Sequence, residues 1–198
     1  LGTGGTIALE ALGIKPAVIH INEGHPVFAP LQAIAQIMKD LEGVIEDSDL
    51  RFEIAYEQVR ARTVFTTHTP IPAGNEEFDA RTIRPFLKTI FEVAEQEGVD
   101  EVAVDRLMSM GIVNGKFNMT AFSQRISNYH NAVSALHGRV ARRIWKMLYP
   151  GLSEAGVPIP GIVNGVHTGT RMPTGGFWQT RAVGELFRPA FEDEKIRR

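Results

Sequence analysis

The chain has 198 residues, 43% hydrophobic and 22% charged, with 19 Gly and 11 Pro, a globular composition that excludes disordered and fibrous repeat architectures. Lys and Arg number 21 against 23 Asp and Glu, a formal charge of −2, so whole-chain electrostatics gives no reason to expect nucleic acid or an anionic membrane as partner. Cysteine is absent, which rules out disulfides, thiolate metal sites and a cysteine nucleophile, and fits a reducing, cytoplasmic compartment.

No apolar stretch approaches the ~18 residues of a membrane span, and no basic-then-apolar secretory pattern opens the chain. The first residues are Leu1-Gly-Thr-Gly-Gly5 and the last Lys195-Ile-Arg-Arg198; both ends read as cut, and a fragment is expected. The opening glycines lack the full G-x-G-x-x-G spacing of a phosphate loop, so they read as the permissive N-terminus of a helix over 6–12.

Pro16-Ala-Val-Ile-His-Ile21 is a short apolar run suited to a buried strand, with His20 expected in the core. It runs into Asn22-Glu-Gly-His25, where Glu23 and His25 beside the pliable Gly24 read as site residues. Glu23 has a second reading, as cap of the next helix. That helix begins at Pro26 and carries Val27, Leu31, Ile34, Met38 and Leu41 at alternating spacings of four and three until Gly43. Asp47 and Ser48 cap another, with Leu50, Ile54 and Val59 on its apolar face.

A second strand, Arg62–Thr67, ends in His68-Thr-Pro70, and Pro70-Ile-Pro-Ala-Gly74 stiffens the loop behind His68. Thr82 opens a helix with Ile83, Phe86, Leu87, Ile90 and Ala94 on one face, stopping near Gly98. Shorter helices are expected over about 101–110 and 119–126. The longest is expected over about 131–148, with a stripe of Val133, Leu136, Val140, Ile144 and Met147. Arg139, Arg142, Arg143 and Lys146 form its solvated face, where cations suit the helix C-terminus. A third strand, Pro160–Val163, runs into Asn164-Gly-Val-His167; Asn164-Gly165 fits a hydrogen-bonding site and a simple turn equally.

Strands alternating with helices predict an α/β fold, a partial Rossmann-like parallel sheet covered on both faces. Ligands then sit at the carboxyl ends of the strands, where all three runs place Asn, Glu, His, Thr or Gly. His20, Glu23 and His25 form H-x-x-E-x-H, not the helical zinc signature, and a strand splits such neighbours between two faces, so no metal is expected. There is no G-x-S-x-G elbow and no kinase motif set. Glu23 alone cannot supply both carboxylates of a retaining glycosidase.

Five segments, His20-Ile-Asn-Glu-Gly-His-Pro-Val-Phe28, Val64-Phe-Thr-Thr-His-Thr-Pro-Ile-Pro-Ala-Gly74, Phe117-Asn-Met-Thr120, Asn131-Ala-Val-Ser-Ala-Leu-His-Gly138 and Val163-Asn-Gly-Val-His167, together resemble the α-glucan (glycogen, starch, maltodextrin) phosphorylases, in that family's order. The resemblance implies the latter part of the N-terminal half of a GT-B glycosyltransferase over 1–170, with 171–198 a divergent tail or interdomain linker. It implies transfer of the terminal glucosyl unit of an α-1,4-glucan to inorganic phosphate, giving α-glucose 1-phosphate, by a cytoplasmic, allosteric enzyme that can form homo-oligomers.

The family uses pyridoxal phosphate bound to a lysine of the other domain, so no cofactor lysine is expected in this chain, and the segment alone is expected to be inactive. His68 matches the histidine that hydrogen-bonds the glucosyl 6-hydroxyl and turns its main-chain carbonyl toward the oxocarbenium charge. Asn164 matches an asparagine on the glucosyl hydroxyls, and Glu23 with His25 the acid-x-His segment of the same pocket. Asn75 and Arg171 depart from the family pattern, standing where many bacterial relatives carry His and where Thr-Trp usually follows. Two other readings are a glycogen-synthase-like enzyme using a nucleotide sugar and a noncatalytic carbohydrate-binding module.

Overall fold

The computed structural model describes residues 2–92, 101–163 and 165, and the compact unit it forms ends at Val163. In chain order the elements are α1 (Gly2–Ala11), β1 (Ile19–Asn22), α2 (Phe28–Asp40), α3 (Ser48–Ala61), β2 (Thr63–Thr67), β3 (Glu77–Phe78), α4 (Ala80–Glu92), α5 (Glu101–Gly111), β4 (Ile112–Val113), β5 (Lys116–Asn118), α6 (Met119–Arg125), β6 (Tyr129–Ala132) and α7 (Ala135–Trp145). None of the described helices is long and apolar enough to cross a membrane.

The main sheet is parallel, in the order β1-β2-β6, with Ile21 beside Phe65 and Phe65 beside His130. A small antiparallel sheet, β3-β5-β4, stands apart from it. Its β4–β5 hairpin turns at Asn114-Gly115, with φ of 51° and 79°, the left-handed pair that a two-residue hairpin needs.

Strand order follows chain order without reversal, and right-handed crossovers then put every connecting helix on the same face of the sheet. That face carries Ile21 and Phe65, which join Leu31, Ile34, Met38, Phe52, Phe117 and Phe122 in the main core. The opposite face leaves His20, Asn22 and Tyr129 exposed, so within the described residues the sheet is covered on one side rather than two. His20 is therefore not a core histidine. It reaches across the strands to Thr66 Oγ1 at 2.7 Å, and Thr66 donates in turn to Asn131 Oδ1 at 2.8 Å.

Helix positions follow the sequence pattern where apolar spacing is regular. Val27, at the N-cap of α2, and Leu31, Ile34 and Met38 on it are fully buried. Asp47 caps α3 by accepting from the Leu50 amide at 3.1 Å, but the buried face is Phe52, Ala55 and Val59, and Leu50 faces solvent. On α4, Ile83, Leu87 and Ile90 are buried and Phe86 is exposed; Ala94 and Gly98 lie outside the described residues. The opening glycines are inside α1 and form no loop. A Cβ on Gly2 would stand 2.6 Å from the Ala29 nitrogen, so the glycine lets α1 close on the start of α2.

Residues 129–148 do not form one long helix. Tyr129–Ala132 is the third strand, Ser134 caps α7 by accepting from the His137 amide at 3.0 Å, and α7 buries His137, Gly138, Ala141 and Trp145. Leu136 and Met147 face solvent. Close approach of backbones decides this face: a Cβ on Gly138 would lie 2.9 Å from the Gly161 nitrogen. The expected third strand at 160–163 is reduced to a single bridge of Gly161 to Ala132 at the sheet edge.

Candidate active site

Glu23 and His68 follow β1 and β2, whose parallel pairing brings both loops to the carboxyl edge of the sheet. Glu23 has φ of 65°, a left-handed conformation that costs a non-glycine residue about 1–2 kcal/mol. The turn carries its carboxylate back over β2. There Oε1 accepts the His68 backbone N–H and, at 3.2 Å, the Thr69 hydroxyl. His68 Nδ1 lies 3.6 Å from the same oxygen, so the imidazole sits over the carboxylate without a direct hydrogen bond to it. The first turn of α2 has no side-chain cap at Val27; Glu23 is spent on the His68 loop instead.

Gly24 is buried, and a Cβ there would lie 2.8 Å from Met119 Cβ. Close packing on the start of α6 thus fixes where the Glu23 turn can run. His25 is exposed one residue further on. Asn164 lies outside the described residues. Of the four expected site residues, the structure thus brings Glu23 and His68 into contact and places His25 on the same short loop as Glu23.

Spacing alone did not single out His137. It is buried in the first turn of α7, and its Nε2 lies 3.3 Å from the Thr69 carbonyl. As the carbonyl can only accept, Nε2 carries the proton. The loop is held from a third side by Asn75, whose amide donates to the Pro72 and Ile71 carbonyls while its oxygen accepts from Thr120 on α6. The residue that departs from the family pattern therefore braces the Pro70–Gly74 turn. The Ser134 cap and the Asn131–Gly138 motif were the available signals for His137. Among the described residues no three His, Asp or Glu side chains converge as a metal set.

No family model matches the chain. It is 42% identical over 170 residues to the maltodextrin phosphorylase of Thermococcus litoralis, an alignment covering 86% of this chain and 18% of that protein. It is 34% identical over 176 residues to the glycogen phosphorylase of Mycobacterium tuberculosis, covering 85% and 20%, and 33% identical over 174 residues to that of Aquifex aeolicus, covering 84% and 22%. The chain is homologous to part of the maltodextrin and glycogen phosphorylases. It spans about a fifth of the length of these phosphorylases, and its mixed fold with a three-stranded parallel sheet is consistent with an α/β segment of them.

Proposed function

We propose that this chain supplies one wall of the glucosyl pocket of an α-1,4-glucan phosphorylase, which transfers the terminal glucosyl unit of a glucan to inorganic phosphate and releases α-glucose 1-phosphate. The contact of Glu23 with the His68 amide at the carboxyl edge of the sheet carries this reading, together with the phosphorylase relatives. Open α/β sheets bind ligands at that edge.

Glu23 holds the peptide entering His68 by its N–H and the Thr69 hydroxyl just beyond it, so the backbone is tied on both sides of His68, and the His68 carbonyl dipole faces the charge that develops on the glucosyl ring as the glycosidic bond breaks. A dipole fixed in advance favours the transition state over the ground state. The His68 imidazole accepts or donates at the glucosyl 6-hydroxyl. Asn164 and His25 complete the hydroxyl contacts, and the domain limits are 1–170 for this part of the N-terminal half and 171–198 for a divergent tail or interdomain linker region.

Pyridoxal phosphate, if bound by the other domain, would supply acid–base chemistry at the leaving glucan oxygen in the whole enzyme. Among the described lysines, Lys88 pairs with Glu101, and Lys146 Nζ lies 3.4 Å from the Tyr149 carbonyl at the far end of α7, so neither fits as its anchor. The cofactor is assigned to the other domain, and the enzyme to the cytoplasm.

The test is His68→Ala in the full-length enzyme that carries this segment, assayed with glucan and phosphate. A kcat loss of about 10²-fold or more is expected if the His68 contacts tighten in the transition state. An unchanged kcat removes His68 from the mechanism, and turnover with a nucleotide sugar in place of phosphate overturns the phosphorylase reading.

A further inference from the structure

The His68 loop is braced from two hydrophobic cores. Glu23 reaches it from the end of β1, whose Ile21 lies in the main core, whereas His137 reaches it from α7, which is seated in a second core of Ala132, Ala141, Trp145, Val157 and Ile159. His137 is only 7% exposed, and its Nδ1 is buried without a partner among the described residues. A leucine or phenylalanine would fill the same space without burying an unpaired nitrogen, so packing alone gives no reason for an imidazole there. What the imidazole adds is one N–H, aimed at the Thr69 carbonyl at 3.3 Å.

That contact closes a geometric loop around the next peptide upstream. Glu23 holds the Thr69 side chain by its hydroxyl, which leaves the Thr69 backbone able to turn about the Cα–Cβ bond. His137 holds the Thr69 carbonyl. With two of the substituents on a tetrahedral α-carbon held, the direction of the third, the Thr69 nitrogen, follows. The peptide between His68 and Thr69 is planar, so the direction of that nitrogen also sets the direction of the His68 carbonyl.

We propose that His137 is a positioning residue for glucosyl transfer: its Nε2–H, by holding the Thr69 carbonyl, aims the His68 carbonyl at the reacting sugar. The inference rests on the glucosyl-pocket reading above and adds a residue that does not touch the substrate. The His68 carbonyl acts on charge that develops only as the glycosidic bond breaks. Loss of the brace therefore lowers kcat and leaves KM nearly as it was. A misplacement of about 1 Å costs up to about 10²-fold in rate, which sets the scale of the effect.

The test is steady-state kinetics, with glucan and phosphate, of the full-length enzyme that carries this segment. His137→Phe keeps a ring and removes the donor; kcat is expected to fall about tenfold or more with KM for glucan within about twofold. His137→Gln places an amide N–H as many bonds from Cβ as Nε2 and is expected to recover most of kcat, whereas His137→Asn, one bond shorter, is not. This pair decides the matter even if the larger phenyl ring prevents folding. Ala141→Gly loosens the same helix in the same core but keeps the brace, and its kcat is expected to stay within about twofold of wild type. Equal kcat in the Gln and Asn variants, a fall in KM-independent rate for Ala141→Gly as large as that for Phe, or a change in KM in place of kcat overturns the proposal. His68→Ala, run beside these, separates the two readings. A loss there with full kcat in His137→Phe overturns the brace and leaves the glucosyl pocket intact, and full kcat in His68→Ala overturns both.

Discussion

Replacing Glu23 tests the geometry of the site without needing catalysis. The carboxylate, largely shielded from solvent, accepts the His68 N–H and the Thr69 hydroxyl. Hydrogen bonds to a charged group contribute about 1.5–3 kcal/mol each, with the loop hydroxyl at the low end because it can turn to water. Glu23→Ala is therefore expected to destabilise the chain by about 2–4 kcal/mol, and Glu23→Gln by about 1 kcal/mol, since an amide oxygen keeps the shape but not the charge. Glu23→Gly loses the same two bonds as Ala yet relieves the left-handed backbone at φ of 65°. After subtraction of the entropy that glycine restores to the unfolded chain, Gly is expected to exceed Ala in stability by about 0.5–1 kcal/mol. Urea unfolding at constant m-value measures all three, and exchange of the His68 amide reports the local bond. Ala as stable as Gly refutes the left-handed turn, and Ala as stable as wild type refutes the clamp.

Three further outcomes rest on other parts of the fold. Gly161→Ala would put a Cβ 2.2 Å from the Ser134 carbonyl oxygen; because backbone is the obstacle, a loss of more than about 2 kcal/mol is expected, whereas Gly156→Ala, whose nearest neighbour is a side-chain oxygen at 3.4 Å, should stay within about 1 kcal/mol. Burial holds His130 below the ordinary 6.5, so the unfolded chain binds its proton at higher pH than the fold does. The stability this group contributes is complete above pH 6.5 and declines as pH falls through the folded value, and His130→Gln is expected to flatten that part of the pH profile in thermal melts. Burial pushes Tyr149 up from 10.0 to about 12 against the opposing charge of Arg125; its contribution is full below pH 10 and is lost as pH rises through about 12. Tyr149→Phe should diminish the late part of the tyrosinate absorbance rise in an alkaline titration, leaving that of Tyr56, which burial also raises.

What the sequence made legible divides along physical lines. Regular apolar spacing located α2 to within two residues, because there the buried side chains are themselves large and apolar. The same rule failed on α7, where the packed face is His137, Gly138 and Ala141 and the larger Leu136 is left outside. Small residues were chosen there for backbone approach to Gly161, a requirement that apolarity does not report. The end of β6, Asn131-Ala132, reads as helix because Tyr129-His-Asn-Ala132 is neither apolar nor alternating. Its strand state comes from pairing with β2, with the Ser134 cap as the local sign that the helix starts later. The hairpin at Asn114-Gly115 is written in plain turn chemistry, but β4 and β5, only two and three residues long, are too short to show a strand period.

The sequence points to the Glu23 and His68 loops because strand ends in α/β proteins are places where polar residues have few structural reasons to be, and the structure brings the two into contact. What holds His68 is not legible in the sequence, and the reason is distance along the chain. Its loop is tied to Glu23 across 45 residues, to His137 through Thr69 across 68, and to Thr120 through Asn75 across 45. Each tie joins a side chain to a partner brought near only by the parallel register and by α6 and α7 closing on the same face. An unreversed strand order puts those helices together on one side, so braces from α6 and α7 reach the same short loop as the carboxylate after β1. The precision of His68 is thus a property of the topology, and substitutions on α7 that leave every expected site residue in place are enough to degrade it.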